Sequence, residues 1–232
     1  MKKSIFYLLC AASVVLMGCN KNDDAISIDN YVQPVSGTQN GYDFVDLGLF
    51  AYWATMNVGA TNIEDCGNYY AWGEIETKKQ YSWATYKYSG NAQSTITKYC
   101  LNSKYGQVDG LTTLEAGDDA ALQVMGGKWR MPNDEELRQL IVYCKWQWSI
   151  INGVKGYLLT STRNGNTLFL PAGGEYNNSS IKGVGSLGCY TSSAVSEEYN
   201  NQANGIMMRP SEAYYSTLKR CYGHTVRGVW SE

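Results

Sequence analysis

Histidine occurs once in the 232 residues, so no site built on two or three imidazoles can form within one chain. Proline is scarce at 4, and phenylalanine at 4 stands against 19 tyrosines. Charged residues make up only 17%, with 19 basic against 21 acidic, a net charge of −2. That balance excludes bulk electrostatic attraction to nucleic acid, so no nucleic-acid partner is expected. No long charged run and no Pro-rich tract interrupts the chain, so most of it should fold. There is no CxxC pair, which argues against a zinc or redox site of that kind. What is plentiful is tyrosine, together with 24 glycines and many Asn and Ser residues. That mixture points to a β-rich, loop-rich exported protein, and to a binding surface before a conventional enzyme.

Lys2 and Lys3 precede an apolar stretch over residues 5–17 that only Ser13 interrupts. At about 13 residues the stretch falls short of the roughly 20 that a spanning helix needs. It reads as the h-region of a signal peptide. The segment ends Leu16-Met17-Gly18-Cys19, which resembles the bacterial lipobox. Removal of 1–18 would leave Cys19 as an acylated N-terminus. Each buried acyl methylene contributes about 0.8 kcal/mol, so two or three chains would hold the protein at a membrane. Asp23 and Asp24 follow closely and resemble the export signal of Bacteroidetes-type surface lipoproteins, which implies the cell outer membrane and display on its outer face.

Residues 19–40 are polar with little periodicity, and read as the lipidated cysteine and a flexible tether. Apolar residues then stay dense to Trp230 with no second linker, so 41–232 reads as a single domain. Asn133 followed three residues later by Glu136 forms a capping box, with Asp134 and Glu135 in the first turn. Leu137, Leu140, Ile141, Cys144 and Trp148 recur at helical spacing and predict an amphipathic helix over about 134–146. Two strand-like runs within 156–171 flank Asn164-Gly165, which predicts a type I′ hairpin, with Pro171 ending the second strand. Weaker patterns predict strands at 43–47, 51–54, 69–72, 206–208 and 225–230. A short helix is expected over 118–125, with Ala120, Ala121 and Val124 inward, stopped by Gly126 and Gly127. Strands, then helices, then strands make the fold class α+β.

Several strings then accumulate in order. They are 41–49 (GYDFVDLGL), Trp53-Ala54-Thr55 with 57–60 (NVGA), 70–74 (YAWGE), Trp129-Arg130-Met131-Pro132, 170–174 (LPAGG) and the closing 220–229. Together they resemble the Fibrobacter succinogenes major paralogous (FISUMP) domain, found in Bacteroidetes surface lipoproteins, over about 41–230. The resemblance implies a C-type-lectin-like fold: two helices on small twisted antiparallel sheets, paired N- and C-terminal strands, and a long irregular region. The chain departs from the family pattern at Thr191, where Trp is frequent, and at Met56, where Cys is frequent.

The chemistry-bearing residues are few. Cys66, Cys100, Cys144, Cys189 and Cys221 are odd in number, so at least one stays unpaired within the domain. A Cys144–Cys221 bridge would suit the fold, although small buried thiols fit equally well. The Pro-Asn-Asp at 132–134 already serves a helix start, and no Trp-Asn-Asp accompanies it, so a lectin-type calcium site is not expected. Cys189 and Cys221 lack the local cysteine pair of formylglycine-generating enzymes, and His224 follows no nucleophile elbow, so it reads as structural. No metal, cofactor or catalytic residue is expected. Residues 174–219 concentrate rings and amides, and Tyr176, Tyr199, Asn201, Tyr214 and Tyr215 are the candidate ligand-binding residues. The expected function is a lipid-anchored, non-catalytic envelope module that binds a glycan or a protein. A fimbria-associated structural subunit and a receptor diversified by a retroelement are the alternatives.

Overall fold

The computed structural model describes residues 25–232. Cys19 and the segment before it lie outside the described residues. In chain order come β1 (Ile26–Ser27), β2 (Gly37–Gln39), β3 (Tyr42–Val45), β4 (Tyr52–Asn57) and β5 (Tyr69–Tyr70). A long irregular stretch leads to a 3₁₀ turn (Ala116–Asp118), α1 (Ala120–Met125) and α2 (Asp134–Tyr143). Then follow β6 (Cys144–Ile151), β7 (Val154–Ser161), β8 (Thr167–Pro171), β9 (Glu175–Asn177) and β10 (Ser180–Lys182). The chain ends with β11 (Gly188–Val195), β12 (Gln202–Arg209), β13 (Glu212–Lys219), β14 (His224–Thr225) and β15 (Arg227–Trp230). The fold is α+β. Its sheets run β1-β6-β7-β8, β13-β12-β11-β14-β5 and β15-β4-β3-β2, with β9-β10 as a separate ribbon. Among the described residues no helix is long and apolar enough to cross a membrane.

The last strand closes against the first part of the chain: β15 pairs antiparallel with β4, Arg227 opposite Asn57 and Val229 opposite Trp53. The polar segment expected to be a tether is part of the fold from residue 25 onward. β1 pairs with β6 and β2 with β3. Gln33 is buried because its amide donates to Thr167 O at 2.6 Å, while the Tyr31 hydroxyl meets Thr167 Oγ1 at 2.9 Å. Polarity here marks hydrogen bonding to the rim of β8, not solvation.

The α2 capping box forms as expected: Glu136 N donates to Asn133 Oδ1 at 2.9 Å, and Asn133 N to Glu136 Oε2 at 2.8 Å. Arg130 adds a fork to Glu136 at 2.8 and 2.6 Å, which ties the Trp-Arg-Met-Pro string to the helix start. The helix is shorter than its periodicity predicts. It stops at Tyr143, and Cys144 and Trp148 sit on β6. Residues 145–151 (KWQWSII) are rich in aromatic and β-branched side chains, which favour a pleated surface. Trp146 Nε1 donates to Leu140 O at 2.9 Å, serving a carbonyl at the helix end.

β7 and β8 pair antiparallel as the expected hairpin, with β8 ending at Pro171, but the type I′ Asn-Gly turns lie elsewhere in the chain. Asn40-Gly41 (φ 48° and 82°) joins β2 to β3, and Asn152-Gly153 (φ 49° and 82°) joins β6 to β7. Both pairs have the double positive φ of type I′. At Asn164-Gly165 only Gly165 has positive φ, 79°. There the loop is anchored instead: the Asn164 and Asn166 side chains donate to Asp46 O at 2.9 and 2.7 Å. In α1, Ala120 and Ala121 are buried as expected, but Val124 is exposed and Met125 takes the inward place. Gly126 ends the helix at φ 67°.

Two large apolar clusters make the core. One gathers Trp72, Tyr81, Tyr86, Tyr99, Met125 and Trp129. The other gathers Trp53, Leu137, Leu140, Trp148, Leu159, Ile206 and Val229. Much of the tyrosine content is therefore interior, with several hydroxyls finding acceptors as burial demands. Tyr86 donates to Trp72 O at 2.7 Å and Tyr190 to Pro171 O at 2.9 Å. The five cysteines among the described residues are free thiols: Cys144 and Cys221 fall in different clusters and no bridge joins them.

Candidate functional site

The five residues expected to bind ligand do not form one patch. Tyr176, on β9, packs against Tyr81 at 4.7 Å and Tyr69 at 6.0 Å. Tyr214 and Tyr215 are neighbours on β13, so their rings leave opposite faces of the sheet. The Tyr214 hydroxyl contacts Met207 Sδ at 3.2 Å. Tyr215 lies under the Arg138 guanidinium at 3.7 Å. Its hydroxyl is enclosed without a well-formed hydrogen bond, and burial followed by the Asp134 charge raises its pKa.

Tyr199 and Asn201 are brought together, in the turn between β11 and β12. Tyr199 N donates to Ser196 Oγ at 3.1 Å, and Tyr199 O accepts from Gln202 N at 2.7 Å. The Tyr199 ring is 42% exposed. The Glu198 carboxylate and, more weakly, the Tyr105 hydroxyl raise its pKa. Asn201 Nδ2 donates to Gln93 Oε1 at 3.2 Å, while Asn201 Oδ1 is enclosed and has no hydrogen-bond partner. Lys104 stands over the Tyr105 ring at 5.6 Å. The corner thus offers exposed aromatic surface flanked by amides and an ammonium. Gln93, Lys104 and Tyr105 come from the irregular stretch after β5, which carried no sequence signal for this role.

The corner rests on a buried arginine. Arg220 donates to Lys98 O at 2.8 Å, Tyr99 O at 3.0 Å and Asn200 O at 2.9 Å. Its Nε donates to the Tyr86 hydroxyl at 3.0 Å, and the guanidinium lies 4.7 Å from the Trp72 ring. Asn200 is itself fully buried and accepts from Leu101 N at 2.6 Å. One guanidinium fork thereby joins the segment at 98–101 to the loop that carries Tyr199.

Behind the corner lies a charged cluster. Asp118 accepts from Lys98 at 2.6 Å, Tyr99 at 2.6 Å, Lys87 at 3.1 Å and the Tyr88 hydroxyl. Burial alone would raise the Asp118 carboxyl, but these donors, Lys98 foremost, hold it well below the usual carboxylate range. The tyrosines move the other way: burial and the Asp118 bond push Tyr99 up to about 12. Every oxygen of this carboxylate is engaged, so the cluster organises the 87–118 stretch.

Open clefts also lie elsewhere among the described residues. One, ≈ 410 Å³, is lined by residues that include Tyr31, Thr55, Asn62 and Glu64. Another, ≈ 320 Å³, is lined by Glu74, Ile75, Glu76, Thr85 and Lys87. Neither includes an expected binding residue. Comparison with family models, with curated proteins and with solved structures finds no match.

Proposed function

We propose that this chain is a lipid-anchored, non-catalytic binding module of the bacterial outer membrane. In this reading it is a FISUMP-type domain with a C-type-lectin-like fold. Cys19 carries the acyl chains, and the ligand is a surface glycan met by the Tyr199 corner. The single observation that carries the ligand reading is the exposed Tyr199 ring beside Asn201, with Gln93 as its amide neighbour. A flat apolar face flanked by amides matches a sugar ring, which has one face of C–H groups and a rim of hydroxyls. The fold part of the reading is supported by two helices on small sheets, by the long irregular stretch after β5, and by the pairing of β15 with β4.

Two experiments test it. Mass spectrometry of the mature protein from a bacterial envelope should find an acylated Cys19, and Cys19→Ala should release the protein from membranes. On a glycan array the protein should bind, and Tyr199→Ala or Asn201→Ala should weaken binding about tenfold, near 1.4 kcal/mol. Tyr214→Ala serves as a control away from the corner. An array with no binder, or Tyr199→Ala binding like the parent, overturns the glycan reading. A protein captured through the same residues would replace it.

A further inference from the structure

Three side chains that no sequence motif connects meet where β9, β11 and β14 converge. Three separate backbone bridges set their register. Gly174 and Gly188 form a parallel bridge, which places the next residues, Glu175 and Cys189, side by side. Tyr190 and Thr225 pair in parallel, which places the preceding residues, Cys189 and His224, side by side. Tyr176 and Gly223 bridge antiparallel, which sets Glu175 across from His224. The outcome is a carboxylate oxygen, a thiol sulfur and an imidazole nitrogen all within 4.8 Å of one another.

His224 is 1% exposed, and neither of its ring nitrogens has a hydrogen-bond partner. A buried imidazole without partners forfeits the hydrogen bonds it had in water, which destabilises it until a partner is supplied. Glu175 Oε2 lies 3.8 Å from Nε2, beyond hydrogen-bond reach. A tetrahedral zinc ion holds nitrogen and carboxylate ligands about 3.3 Å apart and nitrogen and thiolate ligands about 3.6 Å apart. From an observed spacing of at most 4.8 Å, the three ligand atoms must draw together by about an ångström to reach those distances.

We propose that Glu175, Cys189 and His224 form a zinc(II) site. The donor set selects the metal: calcium and magnesium take oxygen ligands only, whereas thiolate, imidazole and carboxylate together suit zinc. Cys189 is fully buried and Glu175 half-buried, so a fourth position on the Glu175 side is open to water or an external ligand. Binding expels the thiol proton of Cys189 and gives both His224 and Glu175 a partner. The ion joins the β9–β10 ribbon to the five-stranded sheet, which otherwise meet through few backbone bonds.

Cobalt(II) is the spectroscopic probe. Titration of the purified full chain should saturate at one ion per chain and develop the near-ultraviolet absorption of a cobalt–thiolate bond. Zinc(II) should bleach that band and raise Tm. Glu175→Gln, at a partly exposed position, and His224→Asn should each weaken cobalt binding by about tenfold or more, since even outer-shell changes cost that much. Cys189→Ser should abolish the thiolate band, and Cys66→Ser should leave it intact. Circular dichroism identifies any variant that fails to fold, and Glu175→Gln keeps the test decisive if the buried substitutions do. Absence of a thiolate band in the parent, or a band and affinity untouched by Glu175→Gln, overturns the proposal.

Discussion

Arg227 Nε donates to Asn57 Oδ1 at 2.8 Å inside the core, across the pair of strands that closes the fold. Its other two nitrogens donate to the Ala54 and Phe169 carbonyls at 2.9 and 3.0 Å. All three acceptors are neutral. Burial lowers the Arg227 pKa to about 10, which leaves it charged at neutral pH.

A planar fork fits these three acceptors and an ammonium does not. Arg227→Lys should therefore destabilise the protein by about 3 kcal/mol, the scale of a broken buried polar network. Urea unfolding of parent and variant measures it; a change under about 0.5 kcal/mol, the range of neutral surface substitutions, would contradict the role assigned to the fork.

Asp118 makes acid stability predictable. Its folded pKa lies below its unfolded value of about 3.9, so the native state holds this proton more weakly than the unfolded chain. The contribution is complete above the unfolded pKa and is lost as pH falls from there toward the folded value. Asp118→Asn should cost about 2–3 kcal/mol at neutral pH. The variant should also lose less stability on acidification, as read by urea midpoints measured down the acid range.

Asn133→Ala removes the side-chain acceptor for Glu136 N and should cost about 1 kcal/mol. Hydrogen exchange should quicken first at the amides of the first α2 turn. Unchanged protection there would mean that the Arg130 fork alone holds the helix start.

The cysteines give a chemical prediction. Cys66, Cys100, Cys144, Cys189 and Cys221 should all alkylate in denatured, unreduced protein. In the folded, metal-free protein Cys66 should react first, because it is only partly buried. Burial pushes Cys144, Cys189 and Cys221 up to about 12, which leaves almost no reactive thiolate at neutral pH. A Cys144–Cys221 disulfide peptide in the mass spectrum would contradict the thiol assignment.

What could be seen in the sequence was what local chemistry determines. The Asn133–Glu136 cap spans three residues and forms as written. The Asn-Gly rule holds at residues 40–41 and 152–153, yet in the loop at 164–166 the Asn164 and Asn166 side chains answer to Asp46, more than a hundred positions away. Periodicity carried the predicted helix past Tyr143 because Cys144 and Trp148 are apolar at helical spacing and equally suited to a strand. Tyrosine content suggested surface, but Tyr81, Tyr86, Tyr99 and Tyr190 fill the interior. Tyr199 and Asn201 converge because they are near neighbours in one turn. Glu175, Cys189 and His224 converge only through strand register, which no spacing along the chain reveals. The closing 220–229 string was visible as a pattern; that its arginines are buried struts required the packed fold.

The bond between Arg227 and Asn57 spans 170 residues. Loop closure over that distance must be met before the central sheets can lock, and such non-local contacts make folding slow. During synthesis β4 emerges long before its partner β15 exists. The nascent chain therefore waits with Trp53 uncovered until Val229 arrives opposite it. Cutting the polypeptide just before Arg227 should leave no smaller stable body, only a substrate for quality-control proteases.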